Sequence, residues 1–275
     1  MNLISSAKSW LFLPAHRLDR FDTAKASHPS VVCLDLQDGL PEIQKNQGRE
    51  SVQNLLGREL DQLVAVRINS LKSEHGHHDI SALRSCACLP HAVVVPVIED
   101  PLEIEVAISE LGDILKTASL IVMIETVNAI CAIDSICAAC PRDAGLLFGN
   151  ADMSAAIRCA NDWESLAYVR SRLVLFAAKY GLPAFDGVTL DLENENVLEQ
   201  ECRNSRRLGF VGKAAVHPKQ VKIINRFFCP TEEEIAEANT IVAAYEASPG
   251  GAIRVGDKMV DRPVYLAAAN LLKNL

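Results

Sequence analysis

At 275 residues and 29.9 kDa, the chain suits one large α/β barrel as well as two smaller domains. Its 49% hydrophobic and 23% charged residues are ordinary for a soluble globular enzyme. A net charge of −8 and a pI near 5.4 argue against a nucleic-acid or acidic-membrane partner drawn by bulk charge. They leave room for an anionic ligand held by a few local Arg and Lys.

No window reaches the roughly 18 apolar residues of a membrane span. Met1 to Lys8 lacks the basic start and long apolar run of a secretory signal. A cytoplasmic protein is expected. The nine cysteines fit that compartment. Cys33 falls in a strand pattern and Cys131, Cys137 and Cys140 in one helical pattern, where a thiol acts as a small hydrophobe. Cys137/Cys140 and Cys86/Cys88 are spaced like half a zinc site, but no second pair completes either.

In chain order, Trp10 to Pro14 reads as a first strand and Arg17 to Ala26 as a short helix. Val31 to Leu36 is a second strand, apolar on both faces as a buried parallel strand must be. It ends in Asp35-Leu36-Gln37-Asp38-Gly39. A polar stretch leads into a helix near Arg49 to Leu60. Leu63 to Ile68 is the third strand, with Arg67 and Asn69 at its end. Lys72 to Asp79 reads as a solvated loop, and no carboxylate or Cys completes its His75, His77 and His78 into a metal site. Ala92 to Ile98 is the fourth strand. Glu99-Asp100-Pro101 follows, with Pro opening a helix to about Leu115.

Leu120 to Ile124 is the fifth strand and ends on Glu125. After a helical stretch, Gly145 to Gly149 forms the sixth, running through Asn150-Ala151 to Asp152. A long helix spans Trp163 to Tyr180 and is ended by Gly181 and Pro183. Ala184 to Leu190 is the seventh strand, Val197 to Leu208 a helix, and Gly209 to Val216 the eighth strand, leading into His217-Pro218. Thr231 caps a helix to about Ala247, with Glu232, Glu233 and Glu234 in its first turn. The tail from Val255 to Leu275 turns at Gly256-Asp257, passes Met259 to Pro263 and ends in a helix.

Strand-like runs alternating with helical patterns predict a (β/α)8 TIM barrel over residues 1–230, with a C-terminal helical extension over 231–275. No Gly-x-Gly-x-x-Gly follows the first strand, which disfavours an open dinucleotide-binding sheet.

Catalytic groups of a barrel sit at the C-terminal ends of its strands. Those found there are Asp35, Asp38, Arg67, Glu99, Glu125 and Asp152. Two parallel strands joined by one crossover bring Glu125 and Asp152 to the same mouth. As hard oxygen ligands they suit Mg2+ or Mn2+, with waters and a substrate completing the shell. Each could equally cap the helix that follows it. Arg67 matches a substrate carboxylate through two parallel hydrogen bonds. Asp35 and Asp38 either orient Arg67 or metal-bound water, or serve only the turn. Backbone N–H groups of Gly149, Asn150 and Ala151 suit a substrate carboxylate, since Gly permits close approach. His217 reads as a backbone partner at the barrel mouth.

These stretches resemble the citrate lyase β-subunit-like family of barrels, which includes malyl-CoA and citramalyl-CoA lyases. The matching residues are Trp10 to Pro14, Leu34-Asp35-Leu36-x-Asp38, Val66-Arg67-x-Asn69, Ile124-Glu125-Thr126 and Gly149-x-x-Asp152. Further on they include Gly209-Phe210-x-Gly212-Lys213-Ala214-Ala215-x-His217-Pro218-x-Gln220 and Met259-x-Asp261-x-Pro263. The resemblance implies Mg2+ on Glu125 and Asp152, and Arg67 on the carboxylate of the keto-acid half. It implies Asp261 as the acid/base, carried by the extension onto a neighbouring subunit of a homo-oligomer, with a trimer favoured. Read from the residues alone, Asp261 could simply cap the helix opening at Pro263.

The implied reaction is Mg2+-dependent carbon–carbon cleavage of a short 3-hydroxy-dicarboxylic acyl-CoA (a citramalyl-, malyl- or citryl-thioester) to an acetyl thioester and a 2-keto acid. The chain departs from the family at Gln37 (usually Glu), Thr23 (usually Lys), Val97 after Pro96 (usually Lys) and Asn128-Ala129 (usually Arg-Gly). The His-rich stretch replaces an expected Thr-Pro-Trp. The lost lysines leave open an aldolase acting on a free hydroxy-keto acid, and the departures together a non-catalytic metabolite-binding barrel.

Overall fold

Short β-branched runs alternate with amphipathic segments, and each run is buried on both faces because helices cover the outside while neighbouring strands close the inside. In the computed structural model, which describes residues 3–248 and 250–273, the elements run in this order. β1 (Ser9–Pro14), α1 (Phe21–Ala26), β2 (Val31–Asp35), α2 (Lys45–Leu55), β3 (Leu63–Arg67), α3 (Glu74–Arg84), β4 (Ala92–Val95) and α4 (Pro101–Leu111) form the first half. β5 (Ser119–Ile124), α5 (Val127–Cys131), α6 (Ile133–Ala139), β6 (Gly145–Phe148), α7 (Asn150–Ile157), α8 (Trp163–Tyr180), β7 (Ala184–Asp186), α9 (Glu195–Leu208), β8 (Gly212–Ala215) and α10 (Pro218–Phe228) form the second. The eight strands pair in sequence order as a closed parallel barrel, with β8 returning to β1 through Trp10 opposite Ala214.

The chain divides between Arg226 and Phe227 into two compact units. The second holds α11 (Glu232–Glu246), a hairpin of β9 (Ile253–Val255) and β10 (Lys258–Val260), and α12 (Arg262–Lys273). A capping box at Thr231 and Glu234 starts α11. Tyr245 stacks on Tyr265 at 4.6 Å, and Ala238, Ile241, Val260 and Ala268 form the core of this unit. The last two residues of the expected extension, Asn274 and Leu275, lie outside the described residues. Among the described residues, no helix is long and apolar enough to cross a membrane.

Parity along the strands decides what faces the barrel axis. Trp10, Val31, Cys33, Ala65, Ala92, Val94, Ile121, Met123, Leu147, Phe185 and Ala214 form one buried cluster. Trp10 and Phe185 pack at 4.9 Å in its floor. Two residues beyond this layer on the same parity stand Phe12, Asp35, Arg67, Glu125 and Gly149. The candidate site is thus the next layer up.

Several elements differ from expectation. His75, His77 and His78 belong to α3 rather than a loop, because the Ser73 side chain accepts from Gly76 N–H and starts the helix early, while Ile80 and Leu83 bury its inner face. The sixth strand stops at Phe148, and Asp152 sits in the first turn of α7. Cys131 and Cys137 lie in two short helices, and Cys140 only follows the second. The expected Arg17 to Ala26 helix is a 3-10 turn followed by α1, and the helix expected near Arg49 to Leu60 begins four residues earlier, at Lys45. The seventh and eighth strands are shorter than their apolar runs, since Gly187–Leu190 and Val216 already belong to mouth loops.

Candidate active site

Arg67 and Asp35 are register partners at the ends of β3 and β2. Arg67 Nε donates to Asp35 Oδ1 at 2.8 Å and Nη2 to Asp35 Oδ2 at 2.6 Å, a two-pronged pair that fixes the plane of the guanidinium. Asp35 also accepts from Gln37 N–H and Gly39 N–H, both at 2.9 Å, so the same carboxylate shapes the loop carrying Asp38. Asp38 Oδ2 lies 3.6 Å from Arg67 Nη1. The Phe12 ring supports the guanidinium from 5.0 Å and Met123 Sδ approaches it at 3.9 Å. Partial desolvation raises the Asp38 carboxyl above the usual range even though its side chain is 63% exposed; Arg67 opposes this, while Asp35 and Asp152 reinforce it.

Glu125 follows β5 and is 3% exposed. Its Oε1 accepts from Val97 N–H at 2.8 Å. Its Oε2 is buried with no hydrogen-bond partner. The end of β6 lies directly over it: a methyl group at Gly149 would sit 2.3 Å from Glu125 Cβ and 2.8 Å from Oε2, so only glycine fits. Burial pushes the Glu125 carboxyl up to about 7; the Val97 N–H opposes this, and the charges of Asp152 and Asp38 add to it.

The structure brings Asp35, Asp38, Arg67, Gly149, Asn150, Ala151 and Asp152 to the lining of one cavity of about 280 Å3, with Glu125 directly beneath Gly149. Its apolar walls are Phe12, Pro14, Met123, Leu147, Phe148, Val188, Ala214 and Val216. A buried carboxylate oxygen without a partner, crowded by like charge, fits a hard divalent cation, which would supply the missing contact and favour ionisation. Among the described residues, the lining offers carboxylate and amide oxygens but no His or Cys. Among the described residues, no three His, Cys, Asp or Glu side chains gather into a closed cage, so such an ion would keep positions for water or substrate oxygens.

The other expected residues meet partners within the chain, His217 and Asp261 as the sequence allows. Gly149 N–H donates to Ile124 O at 3.0 Å and is not free for a ligand. Both amide protons of the Asn150 side chain are used within the protein, on Asn161 Oδ1 and Val188 O. Glu99 stands outside the cavity lining, where Lys72 contacts it at 2.8 Å and Asn128 at 3.2 Å. His217 Nδ1 accepts from Lys219 N–H at 3.2 Å. Asp261 belongs to the second unit, where its Oδ1 accepts from Val264 N–H at 3.3 Å at the start of α12. Sequence reading missed Val97, whose backbone holds Glu125, and Phe12 and Met123 around Arg67. Parity along β1 and β5 could have found the latter two.

A closed barrel whose mouth gathers carboxylates round one guanidinium defines a class of metal-assisted barrel enzymes, and the sequence places the chain within it. Residues 8–218 match the family described as HpcH/HpaI aldolase/citrate lyase, and the chain belongs to that family of lyase enzymes. The chain is 32% identical to a citrate lyase subunit beta-like protein of Mycobacterium tuberculosis over 99% of its own length and 97% of the relative's. It is 27% identical to the mitochondrial citramalyl-CoA lyase of Rattus norvegicus, covering 95% and 84%. The crystal structure of CitE from Mycobacterium tuberculosis in complex with magnesium, acetoacetate and coenzyme A superposes with a TM-score of 0.80 at 29% identity, covering 98% of both chains.

Proposed function

We propose that this protein is a Mg2+-dependent carbon–carbon lyase that cleaves a short 3-hydroxy-dicarboxylic acyl-CoA to an acetyl thioester and a 2-keto acid. The observation that carries the proposal is the buried, unpartnered Oε2 of Glu125 beneath Gly149 in the field of Asp152. Glu125 and Asp152 would hold the ion, which would supply Lewis-acid stabilisation to the substrate hydroxyl oxygen as it gives up its proton and becomes the keto-acid carbonyl, the bonding electrons leaving to the acetyl thioester fragment. Arg67, its plane fixed by Asp35, binds the carboxylate of the keto-acid half and adds positive charge where negative charge develops. The apolar walls keep water from the carbanion-like fragment. Asp261, supplied by a neighbouring subunit, would exchange the proton at the acetyl carbon.

Two features bear on the substrate. Among the described residues, Arg67 is the one basic side chain lining the cavity. A keto-acid half with one carboxylate, as in citramalyl- or malyl-CoA, is therefore better matched than the two of a citryl thioester. A second groove of about 330 Å3 shares Phe12, Pro14 and Val216 with the cavity and is lined by Arg17, Arg20, Thr23 and His217. Its two guanidinium groups suit a phosphate-bearing handle and offset the lysines absent at positions 23 and 97. This favours the thioester over a free hydroxy-keto acid.

The test compares citramalyl-, malyl- and citryl-CoA with free 4-hydroxy-2-keto acids, using Mg2+-loaded and EDTA-stripped enzyme. The first two thioesters should be cleaved only with Mg2+, and Asp152→Asn should lower kcat by about 10^3-fold. Turnover of free acids alone would give the aldolase reading. No turnover of any substrate with Mg2+ present would give the non-catalytic one.

A further inference from the structure

Asn150 opens α7, whose preceding residue Gly149 offers no side-chain cap. The Asn150 side chain is buried. Its Nδ2 donates to Val188 O at 2.9 Å and to Asn161 Oδ1 at 2.8 Å, and its Oδ1 accepts from Val188 N–H at 2.8 Å. The side-chain amide thus pairs with both backbone groups of Val188 as a neighbouring strand's peptide would. Gly187 makes room for it, since a methyl group there would lie 1.9 Å from Asn150 Oδ1.

The segment that Asn150 grips is itself fixed. Gly187 O accepts from Lys213 Nζ at 2.8 Å, and Gly187 N–H donates to Asp186 Oδ1 at 2.9 Å. Asp186 is held by Arg170 Nε at 2.9 Å and by the Ser205 hydroxyl. Lys213 also reaches Glu201 at 3.1 Å, and Glu201 accepts from Thr189 Oγ1 at 2.5 Å. Gln220 Nε2 donates to Thr189 O at 2.8 Å. Residues 187–189 are therefore anchored by buried polar groups outside the cavity lining, which Asn150 and Val188 themselves join.

We propose that Asn150 is a positioning residue: it ties the first turn of α7 to the fixed 187–189 segment and thereby sets Asp152, two residues on, against Glu125. The inference rests on the reading of Glu125 and Asp152 as a metal pair. Buried amides that orient a ligand-bearing element typically change metal affinity 10- to 100-fold when removed.

Mn2+ binding to the full chain, followed by electron paramagnetic resonance alongside thermal unfolding, tests it. Asn150→Ala should raise the Mn2+ dissociation constant about tenfold, and the milder Asn161→Ala, which removes one of the three bonds, about threefold. Ile104→Ala, a truncation at a fully buried position of α4, should lower Tm yet leave Mn2+ affinity within about twofold, because it touches no polar group of this chain of contacts. Unchanged affinity in Asn150→Ala, or an equal loss in Ile104→Ala, overturns the inference. Wild-type protein that binds no Mn2+ would instead remove the metal reading itself, a separate outcome.

Discussion

Asp35 and Asp186 both end a barrel strand, both are buried, and both pair with an arginine, yet they belong to opposite kinds of site. Asp35 shares parity with Cys33 and faces the barrel axis; Asp186 follows the inward Phe185 and so meets the helices outside. Round Asp186, two carboxylates (with Glu201) meet two cations, Arg170 and Lys213. Burial opposes ionisation there, but Lys213 and Arg170 outweigh it and hold the Asp186 carboxyl below the usual range. Round Asp35, four carboxylates (with Asp38, Glu125 and Asp152) face Arg67, the one basic side chain in the lining among the described residues, with Lys45 favouring ionisation of Asp38 from outside it, and one buried oxygen has no partner. The outer cluster is balanced in charge by the chain itself, although Arg170 Nη2 has no hydrogen-bond partner and its guanidinium lies against the Phe148 and Trp163 rings. The inner one carries more carboxylates than cations and leaves Glu125 Oε2 without a partner.

Lys213→Met breaks this contrast most severely. Lys213 is fully buried, and losing it strands Glu201 and weakens the hold on Asp186. Removing one partner of such a set costs about 3–5 kcal/mol, readable as a lower urea midpoint and a Tm drop of roughly 10 °C. A loss below about 1 kcal/mol would mean that the outer cluster is not a structural clamp.

The inner cluster should show the opposite sign of pH dependence. In the metal-free protein the Glu125 carboxyl titrates near 7, against a usual 4.5, so the folded state holds a proton that the unfolded chain has released. Its contribution is fully present below about 4.5 and declines as pH rises through 7, in total about 3 kcal/mol. Urea unfolding of EDTA-treated protein at pH 5 and pH 8 should show this decline, and Glu125→Gln should abolish it. An identical slope in both proteins would show that Glu125 is not forced to ionise against burial.

The barrel was legible because each strand is a compact apolar run, and α8 was read to its ends because Asp162 caps its start and left-handed Gly181 stops it. Strand-end placement brought Asp35 and Arg67 to one rim, where they pair. Other features depend on partners far along the chain. Asn150 is read for its backbone N–H alone until the fold shows its side-chain amide spent on Val188, 38 residues away. The α3 histidines looked like loop because their start signal is a Ser73 cap beside Gly76, with little apolar periodicity nearby. Val97 stood out only as a missing lysine, since what it contributes is a backbone N–H.

Val97 also offers the finest test of how the inner cluster is held. It adopts φ +58°, a left-handed conformation that a β-branched residue enters only under constraint, and in that posture its N–H reaches Glu125. The conformation costs about 1–2 kcal/mol for an L-residue. Glycine would recover it, less about 0.5–1 kcal/mol of added chain entropy. Val97→Gly should therefore stabilise the protein by about 0.5 kcal/mol, a Tm rise of roughly 1–2 °C, while Mn2+ affinity stays unchanged because the N–H remains. Val97→Ala keeps the strain and should give no such gain. Should Val97→Gly instead weaken Mn2+ binding, the stiffness of the valine backbone, and not merely its N–H, would be what holds Glu125 in place, and the strain would belong to the site's design in the same way as the glycine above it.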